Sequence, residues 1–449
     1  MKVAIIGGGP LGMEMSLDLL SLGAEVSLFS LCLGGKIKEM VGHYPNHSMD
    51  VSWQNLLSEH GQNLLNSIDK KFLEKIDRGK IPTLFEYWNS YLAPLMASPC
   101  IKNILKKGEV KRVHKRFLGI EEDVPHKSRL HDLFRVVYLM TPDKESFNEH
   151  QLGSLGEDVL TSLHEPLENF EDFDIVIDAT GVLGNPSPMG ASSSFALNEK
   201  MDSLKDRVFY GVDIFSNLSL ICDKAKKIVL VGSGQTAARA LIELKEVIEN
   251  KKCECSVVTT APIPFQEFLE EEGSPSLKKS FEEFRQRQNS AFEKERDTFE
   301  KKIREWRELE DYMKAKISKP QEPSRNPAFL GGFNVVSVDK LIDREGLFVT
   351  CEDVDFRGGK NQIKTIPCDF ILVASGYTCH DSLYSGLRTA FENSRKVTLS
   401  EDGTHPEPGF FTLGPIKKGD RERYSLQEGL TQIKRIREKM LEFFTKVGE

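Results

Sequence analysis

Two glycine-rich hexads carry the clearest chemistry that the residue types allow. Gly7-Gly8-Gly9-Pro10-Leu11-Gly12 follows the apolar run Val3 to Ile6, and Gly232-Ser233-Gly234-Gln235-Thr236-Ala237 follows Ile228 to Val231. In such a turn the first glycine permits a tight reversal and the second lets the backbone approach a pyrophosphate. The third small residue, Gly12 or Ala237, lets the helix lie close to the strand. Unpaired N–H groups at the positive end of the helix then hold the diphosphate. One such pattern alone is weak. Here each copy precedes a helical run and a second strand, Glu25 to Phe29 or Ser256 to Thr259, and that context gives the pattern its meaning. A glycine turn that binds nothing is the competing reading for either copy.

The elements that must position these turns come next. Asp174 to Asp178 before Ala179-Thr180-Gly181, and Asp369 to Val373 before Ala374-Ser375-Gly376-Tyr377, read as strands buried on both faces of a parallel sheet. Phe410 to Leu413 reads as a last strand before Gly414-Pro415, and Tyr424 to Phe444 as a closing helix. Between them, residues 266–320 are dense in Glu, Lys and Arg, with Phe292, Phe299, Trp306 and Met313 seven apart. That spacing predicts an amphipathic helix, in two parts with a break at Gly273-Ser274-Pro275. It packs on its own domain, or serves as a lid, or meets a partner or a second copy of the chain.

A chain of 449 residues is long enough for two to three domains and a buried ligand site. Its 39% hydrophobic and 29% charged residues suit a globular protein, and a net charge of −8 implies no general nucleic-acid-binding surface. The opening residues lack the order of a secretory signal, and no apolar run approaches the roughly 20 residues that span a bilayer. Eight scattered cysteines are not a disulfide framework, so a reducing cytoplasm is the expected address.

On Gly7, Gly9 and Gly12, Gly34-Gly35, Ala179-Thr180-Gly181, Gly232, Gly234 and Ala237, and Ala374 to Tyr377, the sequence resembles the two-dinucleotide-domain flavoproteins. These comprise the thioredoxin-reductase-like reductases and the single-component flavin monooxygenases. The resemblance covers most of the chain outside 262–326. It implies an α/β fold of two Rossmann-like dinucleotide-binding domains, with an NAD(P) domain (196–374) inserted into a discontinuous FAD domain (1–195 and 375–449). The charged helical insertion at 266–320 lies within the former.

Carried over residue by residue, the resemblance assigns Gly7, Gly9, Pro10, Leu11 and Gly12 to the FAD diphosphate and Ser30 to its ribose. Gly34, Gly35 and Lys36 fall along the ribityl side. Thr180, Gly181, Gly376, Gly414 and Gln427 complete the cofactor set, with the closing helix's N-terminal end facing the flavin. Gly232, Ser233, Gly234, Gln235 and Thr236 would hold the nicotinamide nucleotide. The implied activity is an NAD(P)H oxidoreductase, monooxygenase-like, passing hydride from nicotinamide to flavin N5 and then to O2 or a small-molecule substrate. NADPH and NADH stay undecided.

Several positions depart from the pattern. Ser30 stands where the family has an acid for the ribose hydroxyls. Val258-Thr259-Thr260-Ala261-Pro262 offers no arginine for a 2′-phosphate, which Arg285 or Arg287 would then have to supply. Leu413-Gly414-Pro415 replaces a usual Ala-Gly-Asp. Phe209-Tyr210-Gly211 matches the start of a monooxygenase signature whose histidine is here Phe215. Asn46 and His47, in Tyr44-Pro45-Asn46-His47, are the catalytic candidates, as hydrogen-bond donors on the substrate side. A plain structural bond is the competing role for His47.

No C-x-x-C exists, and Cys253 and Cys255 have the wrong spacing for an easy disulfide, so dithiol chemistry is disfavoured. Cys32, just before Gly34, is the one thiol placed near the flavin edge. No cluster has metal-ligand spacing. A flavin reductase that does not use O2, and an FAD-binding sensor without turnover, remain as alternatives.

Overall fold

The computed structural model describes the chain except residues 44, 46, 50, 75, 121, 123, 125, 141–166, 271–274, 341–345, 355–361, 379–380, 389–390, 393–395, 398–406, 415–425 and 449. The chain forms two compact units, one of residues 1–185 with 378–449, the other of 186–377. Ser187 N–H donates to Gly376 O at 2.9 Å and Pro186 bridges to Tyr377, so residues 186–195 fold with the second unit.

Each unit is built on a five-stranded parallel sheet with its glycine turn at the end of a central strand. In the first the order is Phe410–Thr412, Ile175–Asp178, Lys2–Ile6, Glu25–Ser30, Leu105–Lys107. In the second it is Ala328–Gly331, Glu254–Thr259, Lys227–Val231, Phe370–Val373, Val208–Tyr210. The central strands are apolar because both faces are covered: Val3, Ala4, Ile5, Val229 and Leu230 are fully buried. Each unit adds a three-stranded antiparallel sheet.

In the first unit the helix Pro10–Ser21 buries Met13, Met15 and Leu19 against the sheet and against a helical excursion that includes Glu59–Ile68. The closing helix, Leu426–Gly448, packs Ile433, Ile436 and Met440 into the same core. In the second unit the helix Gln235–Glu243 follows the turn. The seven-residue aromatic spacing becomes one 34-residue helix, Pro275–Glu308, preceded by a short helix Gln266–Glu270. The expected break at 273–275 falls largely outside the described residues. Phe281 and Phe284 of the long helix are fully buried in the core of the second unit. Trp306 instead donates its indole N–H to Ile317 O at 3.0 Å, on the chain that runs back beside the helix. No helix among the described residues is long and apolar enough to cross a membrane.

Candidate functional site: two dinucleotide turns

The first turn begins where three strand ends meet, since Ile6 is in register with Phe29 on one side and Asp178 on the other. Gly7 N–H donates to Phe29 O at 2.9 Å, and Ala179 N–H to Ile6 O at 2.8 Å. Gly7 has φ +116°, and a Cβ there would lie 2.3 Å from Ala179 O. A Cβ on Gly8 would lie 2.6 Å from Ser30 Oγ, and one on Gly12 1.9 Å from Gly7 O. The fold itself therefore demands glycine at 7, 8 and 12. Gly9 differs. It caps the helix at φ −70°, ψ 177°, which any residue adopts, and a Cβ on it would meet nothing within 4 Å. Pro10 occupies the first helical position, where its missing N–H costs nothing, while the N–H groups of Leu11 and Gly12 have no acceptor within the helix.

The second unit repeats the backbone hydrogen bonds of this turn. Gly232 N–H donates to Val258 O at 2.8 Å and Ala374 N–H to Val231 O at 2.7 Å. Gly232 has φ +112°, with its Cβ position 2.2 Å from Ala374 O, and Ala237 packs fully buried in the third position. Gly234 again has ordinary dihedrals, φ −88°, ψ −167°, and open space where a Cβ would stand. Ser233 Oγ and Thr259 Oγ1 share a hydrogen bond of 2.9 Å. Gln235 starts the helix, and Thr236 hydrogen-bonds the Tyr377 hydroxyl, which also accepts the Val212 N–H. Burial pushes the Tyr377 phenol up to about 12, so it stays protonated.

No protein-family profile matches the chain, and no curated protein does. Solved structures do. A bacillithiol disulfide reductase from Staphylococcus aureus superposes with a TM-score of 0.56 at 14% identity, covering 98% of each chain. A cadaverine monooxygenase from Erwinia amylovora, bound to FAD, gives 0.57 at 12% identity, covering 98% of this chain and 94% of that one. Thioredoxin reductase from T. acidophilum gives 0.52 at 13% identity over 99% and 98%. The fold is that of the two-dinucleotide-domain flavoproteins.

Within this fold Gly34, Gly35, Thr180, Gly181 and Gly414 lie around the first turn. Gly34 N–H donates to Gly8 O at 2.8 Å, and a Cβ on Gly35 would lie 3.6 Å from Gly9 Cα. Both have positive φ, +87° and +54°, and the ring of Trp88 stands over Gly34. Thr180 donates from N and Oγ1 to Asp178 Oδ1, at 2.9 and 2.7 Å, and Gly181 follows at φ +66° with open space around it. Gly414, at φ +119°, donates its N–H to Gln432 Oε1 at 2.9 Å beside the same strand ends. In the second unit Gly376 takes φ +96°.

Other expected residues have local duties. Ser30 Oγ donates to Cys32 O at 2.8 Å and accepts from Cys32 N at 3.3 Å, so the hydroxyl closes its own turn. Lys36 pairs with Glu39 at 2.6 Å. His47 accepts the Leu84 N–H at its carbonyl, 2.6 Å away, while Asn46 lies outside the described residues. Gln427 is exposed in the first turn of the closing helix.

The suggestion that Arg287 serves a 2′-phosphate is corrected. Its Nε donates to Glu249 Oε1 at 2.9 Å, just before Glu254–Thr259 begins, whereas the second glycine turn stands at the strands' carboxyl ends. Arg285 faces a cavity at the same remote end, beside Asn326 and Pro327. Cys253, Cys255, Cys351 and Cys368 are buried, and burial raises every one of these thiols. Cys32 is exposed, with Lys38 Nζ 3.7 Å from its sulfur. No group of His, Cys, Asp and Glu among the described residues could hold a metal.

Glu14, one turn into the helix Pro10–Ser21 and 3% exposed, was not singled out by its sequence context. The Tyr91 hydroxyl donates to its Oε1 at 2.6 Å and the Ser58 hydroxyl to its Oε2. Desolvation lifts this carboxyl from 4.5 to about 7, against the pull of both hydroxyls. The only signal in the sequence is an acid inside the otherwise apolar run Met13-Glu14-Met15.

Proposed function

We propose that the chain is an FAD-dependent NAD(P)H oxidoreductase with a monooxygenase-like layout, FAD on the first unit and the nicotinamide nucleotide on the second. One observation carries the reading. Glycine at 7, 12 and 232 answers to clashes within the protein, but at 9 and 234 nothing in the protein requires it. The missing side chain leaves open space beside the helix N-terminus in both units, and a diphosphate fits that space.

When bound, FAD supplies acceptance of hydride from the nicotinamide and its onward transfer to O2 or another acceptor. The chain's own part is to hold and orient. The N–H groups of Leu11 and Gly12 donate to the FAD diphosphate, and those at the start of Gln235–Glu243 to the nucleotide's. Thr180, Gly181, Gly34 and Gly35 leave backbone room around the first turn, and Gly414 and Gln427 act from the closing segment. Tyr377 holds Thr236 at the head of its helix. His47 and Asn46 act on the substrate side as hydrogen-bond donors.

The described thiols support the monooxygenase-like layout over disulfide chemistry, since the buried ones are held protonated and offer no close pair to the solvent. The seven cysteines among the described residues are all unpaired, which suits a reducing cytoplasm. A second reading, an FAD-binding sensor without turnover, is favoured by Ser30, whose hydroxyl is engaged in its own turn and leaves the ribose without a carboxylate.

Gly9→Val and Gly234→Val test the assignment, because neither side chain meets the protein at Cβ. The first is expected to lose FAD yet bind NADPH or NADH, and the second to do the reverse. A Gly9→Val protein holding one FAD per chain would contradict the proposal.

A further inference from the structure

Remote from its glycine turn, the second unit has a cavity of about 90 Å3 between the long helix Pro275–Glu308 and the edge strand Ala328–Gly331. Arg285, Asn289 and Phe292 line it from the helix, and Arg325 and Phe329 from the returning chain. No carboxylate is among its lining residues. Asn326 fixes its position, accepting the Cys255 N–H at 2.9 Å and donating to Cys253 O at 2.8 Å. The cavity therefore adjoins the amino-terminal end of Glu254–Thr259, while the nucleotide turn follows the carboxyl end of Lys227–Val231.

Arg287, Arg296 and Arg304 each lie within salt-bridge distance of a glutamate. Among the described residues Arg285 and Arg325 do not, although the chain carries a net charge of −8. Arg325 is nevertheless oriented: its guanidinium stacks 4.6 Å from the Phe292 ring centre, and Nη1 donates to Asn289 Oδ1 at 3.1 Å. A guanidinium has five N–H donors, so most of its fork is left for a ligand. Two like charges facing one cavity repel each other unless an anion lies between them.

We propose that this cavity binds a small oxyanion, a phosphate or carboxylate group held by Arg285 and Arg325 and walled by Phe292 and Phe329. At about 90 Å3 the cavity has room for a group of phosphate size. Bound there, the anion ties the long helix to the returning chain, and so links the arm to a ligand other than the redox nucleotide.

The test uses the full chain carrying Gly9→Val and Gly234→Val, so that the two glycine turns do not compete for phosphate. Inorganic phosphate and benzoate are titrated separately by calorimetry at constant ionic strength set with chloride. Saturable binding at one site per chain is expected, about tenfold weaker or worse in Arg285→Gln and in Arg325→Gln and unchanged in Arg287→Gln. Tighter phosphate identifies a phosphate group as the natural ligand, and tighter benzoate a carboxylate on an apolar body. Absence of saturable binding by both probes overturns the proposal, as does binding undiminished in both arginine variants. All three arginines lie on the surface side of the fold, and circular dichroism of each variant checks that it is folded. Arg325→Lys keeps the charge without the fork, and its affinity is expected to fall between wild type and Arg325→Gln.

Discussion

Glu14→Gln is expected to change the pH dependence of the first unit's stability. Glu14 is buried with two hydroxyl donors, Tyr91 and Ser58, and no cation on it. The other titratable groups around it are Tyr87, whose phenol burial raises, and Asp18 one turn on. Asp18 is paired with His60 and Arg437, each at 3.2 Å. With a folded pKa of about 7 against 4.5, Glu14 binds its proton more tightly in the folded chain. Its contribution is therefore fully present below 4.5 and is lost as pH rises through 7. At about 1.4 kcal/mol per unit the full loss is about 3 kcal/mol, and about 2.5 kcal/mol of it falls between pH 5 and pH 8. Glutamine does not titrate, and all other groups titrate alike in both chains. The assay is urea unfolding followed by tryptophan fluorescence in a Trp306→Phe background, where Trp53 and Trp88 report the first unit alone. Relative to wild type, the glutamine chain should gain about 2.5 kcal/mol on going from pH 5 to pH 8. A difference between the two chains that is the same at both pH values would refute the reasoning.

Four further outcomes follow from the packing. Gly12→Ala should prevent folding of the first unit, since its Cβ would stand 1.9 Å from Gly7 O, whereas Gly9→Ala should fold normally by circular dichroism. Glu407→Gln breaks a buried pair with Arg129 (2.7 Å) beside the buried Lys115, and should cost about 3–5 kcal/mol in urea unfolding. Phe281→Ala removes a buried ring packed 4.6 Å from that of Phe265, and should cost about 3–5 kcal/mol and expose residues 275–308 to proteolysis. Under native conditions a thiol reagent should label Cys32 and Cys100 rapidly, and Cys253, Cys255, Cys351 and Cys368 only after unfolding.

The glycine turns were legible because each position has its own steric reason, and Gly12 and Ala237 reveal theirs by size alone. The sequence did not reveal which glycines the fold itself requires; that took the distances from each glycine to its surroundings. Glu14 was hidden because its partners Ser58 and Tyr91 lie 44 and 77 residues away, in an excursion with no period of its own. Arg287 misled for a related reason: a 34-residue helix carries its arginines far from the loop that introduces it. The Phe209-Tyr210-Gly211 echo has a structural basis. Gly211, at φ +51°, lies under Tyr377, where a Cβ would meet the phenol oxygen at 2.7 Å. Two segments that looked independent are thus one contact.

The central claim is that the first unit holds a flavin which a nicotinamide nucleotide reduces. The most direct measurement is the visible spectrum of the purified chain supplied with FAD, followed by addition of NADPH and NADH separately without oxygen. Bound FAD whose yellow colour one of the two nucleotides bleaches is the expected result. A folded chain that retains no FAD when it is supplied in excess would contradict it.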